Sequence, residues 1–145
     1  MIQLNHTALH KAKLHAMQTY PEECCGIILG TDINGARIVC DVVGLQNTKD
    51  DERTRRYLIG PDDYKRAEEF AAKECVQILG LYHSHPDHPA VPSQFDLDHA
   101  LPWFSYLIVS VEKGVPCAAR SWLLRHDRSG FDEETIAAHE ATIAS

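Results

Sequence analysis

The chain has 145 residues, 44% hydrophobic and 24% charged, enough for a substantial buried core and ordinary for one globular domain, 1–145. A formal net charge of −7 without a basic cluster argues against a nucleic-acid partner, because phosphate contacts need lysines and arginines. No apolar run reaches membrane-spanning length, and the first twenty residues lack a signal peptide's apolar stretch, so a cytoplasmic protein without a membrane partner is expected.

Ile2, Leu4, Leu9, Leu14 and Met17 recur at roughly helical spacing and predict a helix over about 5–19, ended by Pro21. "CCGIILG" (24–30) reads as a short buried strand and "ARIVCDVVGL" (36–45) as a β-branched second one. The Asn-Gly of "INGA" predicts a hairpin between them. Residues 46–56 are a polar loop and "YLIG" a short strand. Pro61 opens a helix over about 62–75, where proline suits the first turn and the early acids complement the helix dipole. "VQILGLYHSH" (76–85) is the next strand, "SQFDLDHAL" starts a short helix, and "SYLIVSVE" and "CAARSWLLRHD" are two further strands. The C-terminal segment reads as short strand or helix. The expected fold class is α/β or α+β, with a sheet as its spine.

Five cysteines (Cys24, Cys25, Cys40, Cys75 and Cys117), an odd number with no C-x-x-C pair, argue against a disulfide framework or a cysteine-built zinc site. Most of them are expected to be small buried apolar residues.

The densest chemistry lies in "HSHPDHPAVPSQFD" (83–96). His83 and His85 are two apart at a strand end, so their rings share a face and can grip one metal ion. Asp96 adds a carboxylate. Two imidazoles and one carboxylate leave a fourth position open for water, the arrangement of catalytic rather than structural zinc. Ser93 and Asp96 also match a capping box, which alone would explain both. His88, Asp98 and His99 are expected to face solvent. A hydrolase also needs a group that moves a proton, and Glu22 and Glu23 stand just before the buried "CCGIIL" strand. "HEATI" (139–143) lacks the second histidine of H-E-x-x-H, "PCAA" lacks the second cysteine of a deaminase, and no G-x-S-x-G occurs.

Together these residues resemble the JAMM (MPN+) metallopeptidases, whose motif is a distant Glu, then H-x-H-P, six residues, Ser, two residues and Asp. "HSHP", "DHPAVP", "S", "QF" and "D" fill that frame without a gap, and "ECCG" matches the family's E-x-C-G strand start. The resemblance spans roughly the whole chain. It implies an MPN/JAMM-like sheet flanked by helices, with cytidine-deaminase-like layering. It also implies one zinc ion per chain on His83, His85 and Asp96, Glu23 as general acid/base, and Ser93 bonded to the water or the oxyanion. The chain looks like the short bacterial members, so the expected substrate is a ubiquitin-like sulfur-carrier protein, cut after its Gly-Gly tail. A non-catalytic MPN scaffold and a JAMM peptidase acting on another peptide are the alternatives. Segment 46–60 is the candidate flap or docking loop, and Cys24 and Cys25 are expected to be structural.

Overall fold

Asn34 and Gly35 both adopt positive φ, 53° and 86°, the conformation that lets a two-residue turn follow the twist of its flanking strands. They join β2 (Cys25–Ile33) to β3 (Ala36–Leu45) in the predicted antiparallel hairpin. A computed structural model describes residues 1–139. Within them lie β1 (Ile2–Asn5), α1 (His6–Thr19), α2 (Pro61–Lys73), β4 (Gln77–Pro86), α3 (Gln94–His99), β5 (Ser105–Glu112), β6 (Val115–Leu124), β7 (Phe131–Glu134) and β8 (Ile136–His139). The described strands form one eight-stranded mixed sheet in the order β7-β6-β5-β4-β2-β3-β1-β8. The fold is α+β, with helices on both faces of the sheet. No described helix is long and apolar enough to cross a membrane.

On one face, α1 presents Ala8, Ala12 and Ala16, four residues apart, against Ile28, Val42 and Leu107. On the other, Ala71 and Ala67 of α2 pack with Ile27, Leu29 and Leu81. The central strand β2 is covered on both sides, so Cys25 to Gly30 are all buried.

Three expectations need correction. Ile2 and Leu4 are not helical; they alternate along the buried strand β1, and Asn5 caps α1 by accepting the Ala8 amide at 2.7 Å. The helix buries its alanines, while Leu14 and Met17 are 40% and 44% exposed, because small side chains let α1 lie close to the sheet. "YLIG" does not pair as a strand; Leu58 is held by Thr48 and by the Asn47 side chain. Of the cysteines, Cys24 and Cys25 are buried but Cys40, Cys75 and Cys117 are exposed. The C-terminal stretch is strand, as β7 and β8, and "HEATI" falls outside the described residues after His139.

One irregularity positions the site. In the β2–β4 pairing Ile28 faces Gly80 and Leu29 faces Ile78, so Leu79 is the extra residue of a β-bulge. Ile78 and Leu81 therefore point to the α2 face, and Leu79 and Tyr82 to the α1 face. Beyond the bulge the alternation resumes and carries His83 and His85 to the α2 side. Gly80 makes this possible, since an added Cβ would stand 1.8 Å from the Ser105 carbonyl oxygen of β5. Gly80→Ala is accordingly expected to destabilise the fold by about 3 kcal/mol, the upper range for forcing volume into a packed core. Chemical denaturation of the two proteins checks this.

Candidate metal centre

The register of β2 on β4 decides what meets the histidines. Cys25 pairs with His83, and the Ser84 amide donates to the Cys24 carbonyl at 3.2 Å. Carried one step further, this antiparallel alignment sets Glu23 opposite His85, on the same face as both imidazoles. Glu23 and His83 are almost wholly buried and His85 nearly so. A carboxylate oxygen of Glu23 and one nitrogen of each ring lie within 4.8 Å of one another.

Asp96 arrives from α3. Its Oδ2 is 3.1 Å from His85 Nε2 and 3.3 Å from His83 Nε2, while the two Nε2 atoms are 3.2 Å apart. A tetrahedral ion with metal–ligand bonds of zinc length needs ligand–ligand edges of roughly 3.3 Å, so this triangle fits one corner set. The tautomer agrees. His85 Nδ1 lies 2.8 Å from the Pro89 carbonyl oxygen, which can only accept, so the proton of the neutral ring sits on Nδ1 and the Nε2 lone pair faces the triangle. Glu23 Oε1 is buried without a hydrogen-bond partner, a costly state for a carboxylate unless the site takes up a cation or water.

Charge follows the same geometry. Burial lifts the Glu23 pKa to about 8, with His85 opposing the rise and Asp96 adding to it. For Asp96, burial would raise the pKa, but the paired His83 and His85 rings and the Ser93 amide hold it well below the usual carboxylate range. Burial lowers the pKa of His83 despite Asp96. In His85 burial works in the same sense, yet the hydrogen bond and charge of Asp96 carry it above the ordinary imidazole value. Asp96 is thus favoured as the carboxylate, the form in which it can act as a ligand.

Ser93 and Asp96 form the expected capping box. The Asp96 amide donates to Ser93 Oγ at 3.1 Å, and the Ser93 amide donates to Asp96 Oδ2 at 2.9 Å. One carboxylate oxygen therefore both caps α3 and faces the two imidazoles. Glu22 stays outside, paired with Arg53 at 3.5 Å. His88, Asp98 and His99 are exposed; His88 lines the cleft, and His99 is bonded to Phe95 within α3.

The proline-broken loop is pinned on several sides. Asp87 accepts from Tyr20 and from the Lys113 amide, the His88 carbonyl accepts from Ser110, and the Ala90 carbonyl from Trp122. The 46–60 segment is stitched to the site too. The Glu23 amide donates to the Arg53 carbonyl, and Asn47 Nδ2 donates to the carbonyls of Glu23 (3.1 Å) and Arg56 (3.0 Å). Tyr57 stacks on His83, with ring centroids 4.5 Å apart. Sequence reasoning missed the Pro89 carbonyl, Asn47 and Tyr57. The prolines hinted at a rigid loop, but no local pattern marks an asparagine or tyrosine that acts across the fold.

The sequence matches the family described as "Prokaryotic homologs of the JAB domain" over residues 7–137. It is 30% identical over 104 residues to a Thermus thermophilus protein named "Probable TtuB-protein conjugate cleaving protease", covering 72% of this chain and 66% of that one. It is 32% identical over 91 residues to the Haloferax volcanii protein "Desampylase", covering 62% and 63%. A 29% identical match over 93 residues to "Tail tip assembly protein K" of Escherichia phage N15 covers 61% of this chain but 34% of the phage protein. The chain thus spans about a third of the phage protein and just under two thirds of the other two. Among solved structures, a Desulfitobacterium hafniense protein superposes with a TM-score of 0.85 at 34% identity, covering 97% of this chain and 94% of that one. A Salinibacter ruber protein gives 0.76 at 40% identity, covering 98% and 94%. The chain belongs to the prokaryotic JAB-domain family.

Purified protein supplied with zinc is expected to hold about one ion per chain, as for a three-residue site with one open position. His83→Ala and Asp96→Ala should each lose it, the latter also losing about 1 kcal/mol of stability with its helix cap. Elemental mass spectrometry and thermal unfolding measure the two effects.

Proposed function

We propose that this JAB-domain chain is a zinc-dependent peptidase or isopeptidase. Its substrate is the amide bond that follows the Gly-Gly tail of a ubiquitin-like protein of the sulfur-carrier kind. The observation that carries this reading is the convergence of His83 Nε2, His85 Nε2 and Asp96 Oδ2 beside the buried carboxyl of Glu23. The relatives named as a conjugate-cleaving protease and as a desampylase support hydrolysis of protein conjugates.

In this reading His83, His85 and Asp96 hold the metal. Zinc bound there supplies a Lewis acid that polarises the scissile carbonyl and brings the pKa of water toward neutrality. Glu23 takes the proton from the attacking water on a carboxylate oxygen and returns it to the departing amine nitrogen. Its backbone, clamped by Arg53 and Asn47, holds that oxygen at the pocket wall through both transfers. Ser93 Oγ accepts the Asp96 amide, which leaves its hydroxyl proton free to donate to the oxyanion that develops on the carbonyl carbon's oxygen. His85 does not move protons; its Nδ1 remains bound to Pro89.

Glu23, His85 and Ser93 line a cleft of about 620 Å³ together with Arg55, Arg56 and residues of the 88–95 segment. A tail without side chains suits an approach in which backbone must come close to buried reacting groups. The match to tail tip assembly protein K favours a second reading, a peptidase of the same chemistry acting on a different peptide.

Glu23→Gln is expected to bind zinc as the wild type does and to lose turnover on the order of 10²–10⁴-fold, the usual contribution of a positioned acid/base. A peptide ending in Gly-Gly-Ala, assayed beside metal content, tests this. Turnover surviving in Glu23→Gln would refute the acid/base assignment.

A further inference from the structure

Resting on that reading, we infer that Arg55 and Arg56 form a carboxylate-binding subsite that selects the group leaving with the amine. Both residues line the cleft that contains Glu23, His85 and Ser93. Among the described residues that line it, Glu23 is the one acid, and it is committed to proton transfer.

Among the ion pairs of this segment, these two arginines share one acid. Lys49 pairs with Asp51 at 3.1 Å and Arg53 with Glu22 at 3.5 Å. Arg55 and Arg56 instead share the single carboxylate of Glu52, with Arg56 Nη1 at 2.8 Å from Oε2. The hydrogen bond to Glu52 uses Arg55 Nη2, and a guanidinium carries five N–H donors, so one shared carboxylate leaves donors on both arginines for a second. A planar guanidinium pairs best with a carboxylate, through two parallel hydrogen bonds.

Arg56 is also placed rather than free. Its carbonyl accepts from the same Asn47 amide that holds the Glu23 carbonyl, so its position is tied to that of the acid/base. Its guanidinium lies over the Phe95 ring, 5.0 Å from the centroid, on the opposite wall. Phe95 stands one residue before Asp96, so Arg56 bridges the 46–60 segment and α3.

The substrate's chemistry says which side of the bond the carboxylate comes from. Two glycines on the acyl side carry no acid next to the scissile amide. The leaving side offers one in two forms, the α-carboxylate of a single released residue or an acidic side chain on a longer released segment. In both cases the arginines hold the leaving group while the C–N bond breaks and the nitrogen takes the proton from Glu23.

The test uses the zinc-loaded full chain and three peptides identical up to Gly-Gly, then ending in Ala with a free carboxylate, Ala amide or Asp amide. The expected result is a kcat/KM about tenfold higher for the free acid than for Ala amide, the effect of one charge-assisted pair. Asp amide matching the acid assigns the recognition to any leaving-side carboxylate; Asp amide matching Ala amide assigns it to the terminus alone. Arg56→Gln should bring the acid-to-amide ratio toward one, and Arg56→Lys should keep part of it. Arg55→Gln, whose side chain is largely exposed, gives the same readout with little risk to folding. Equal rates on all three peptides, or ratios untouched in both glutamine variants, would overturn the subsite and leave the peptidase reading standing. No cleavage of any peptide by protein shown to hold zinc would overturn both.

Discussion

The alignment of β2 on β4 is the constraint on which the site depends. A strand pair transmits facing with a period of two, so a one-residue slip would move every side chain to the other face. Here the register is set by burial on both faces: Ile27 and Leu29 must reach the α2 side and Ile28 the α1 side. The bulge at Leu79 shifts β4 by one residue before the histidines. Without it, His83 and His85 would point toward α1, and Tyr82, which now meets His15 at 2.7 Å under that helix, would take their place. Gly80, able to approach the Ser105 backbone, is the residue that admits the irregularity.

Once the register is in place, the chemistry follows from burial and a few accepted hydrogen bonds. A buried glutamic acid with an unpartnered oxygen and three donor atoms aimed at one point would be a poor way to stabilise a fold. Apolar residues of the same volume would pack there at lower cost. The arrangement makes physical sense when the three donors share a cation and the fourth group exchanges a proton. Asp96 ties the two demands together, because the oxygen that faces the imidazoles also receives the Ser93 amide. The short α3 and the metal corner therefore form or fail as a unit.

Much of this was legible in the chain, for identifiable reasons. The Asn-Gly turn, the proline at the start of α2 and the His-x-His strand end each act through local rules, and the structure places them as those rules require. The grouping of Glu23 with His85 rests on a motif resemblance, and its physical cause lies in strand pairing between residues about sixty positions apart. The failures share a cause as well. The helical spacing of Leu9, Leu14 and Met17 marks α1, whereas close helix–sheet packing buries Ala8, Ala12 and Ala16 instead. Ile2 and Leu4, two apart, have strand rather than helical spacing, and they pair with β3 and β8 as a strand. Asn47, Tyr57 and the Pro89 carbonyl carry no signal, since a side chain that clamps a distant backbone has no periodicity to betray it.

The 46–60 segment is joined to Glu23 through that residue's backbone. Its contacts with Glu23 run through backbone atoms, the Glu23 amide and carbonyl, and leave the carboxyl free. Side chains along the segment can therefore vary without disturbing the position of Glu23, provided that Asn47 is kept. The opposite wall works the same way: Val91, Pro92 and Phe95 face the cleft, while the loop's geometry is fixed by backbone carbonyls held at Ser110 and Trp122. Each wall thus has a fixed backbone and a free outer surface. The arginines stand on such a wall, so the proposed selection of a leaving group would not disturb Glu23, His83, His85 and Asp96, which β2, β4 and α3 hold in place. Residues at the cleft surface can then change at little cost to the register that gathers Glu23, His83 and His85.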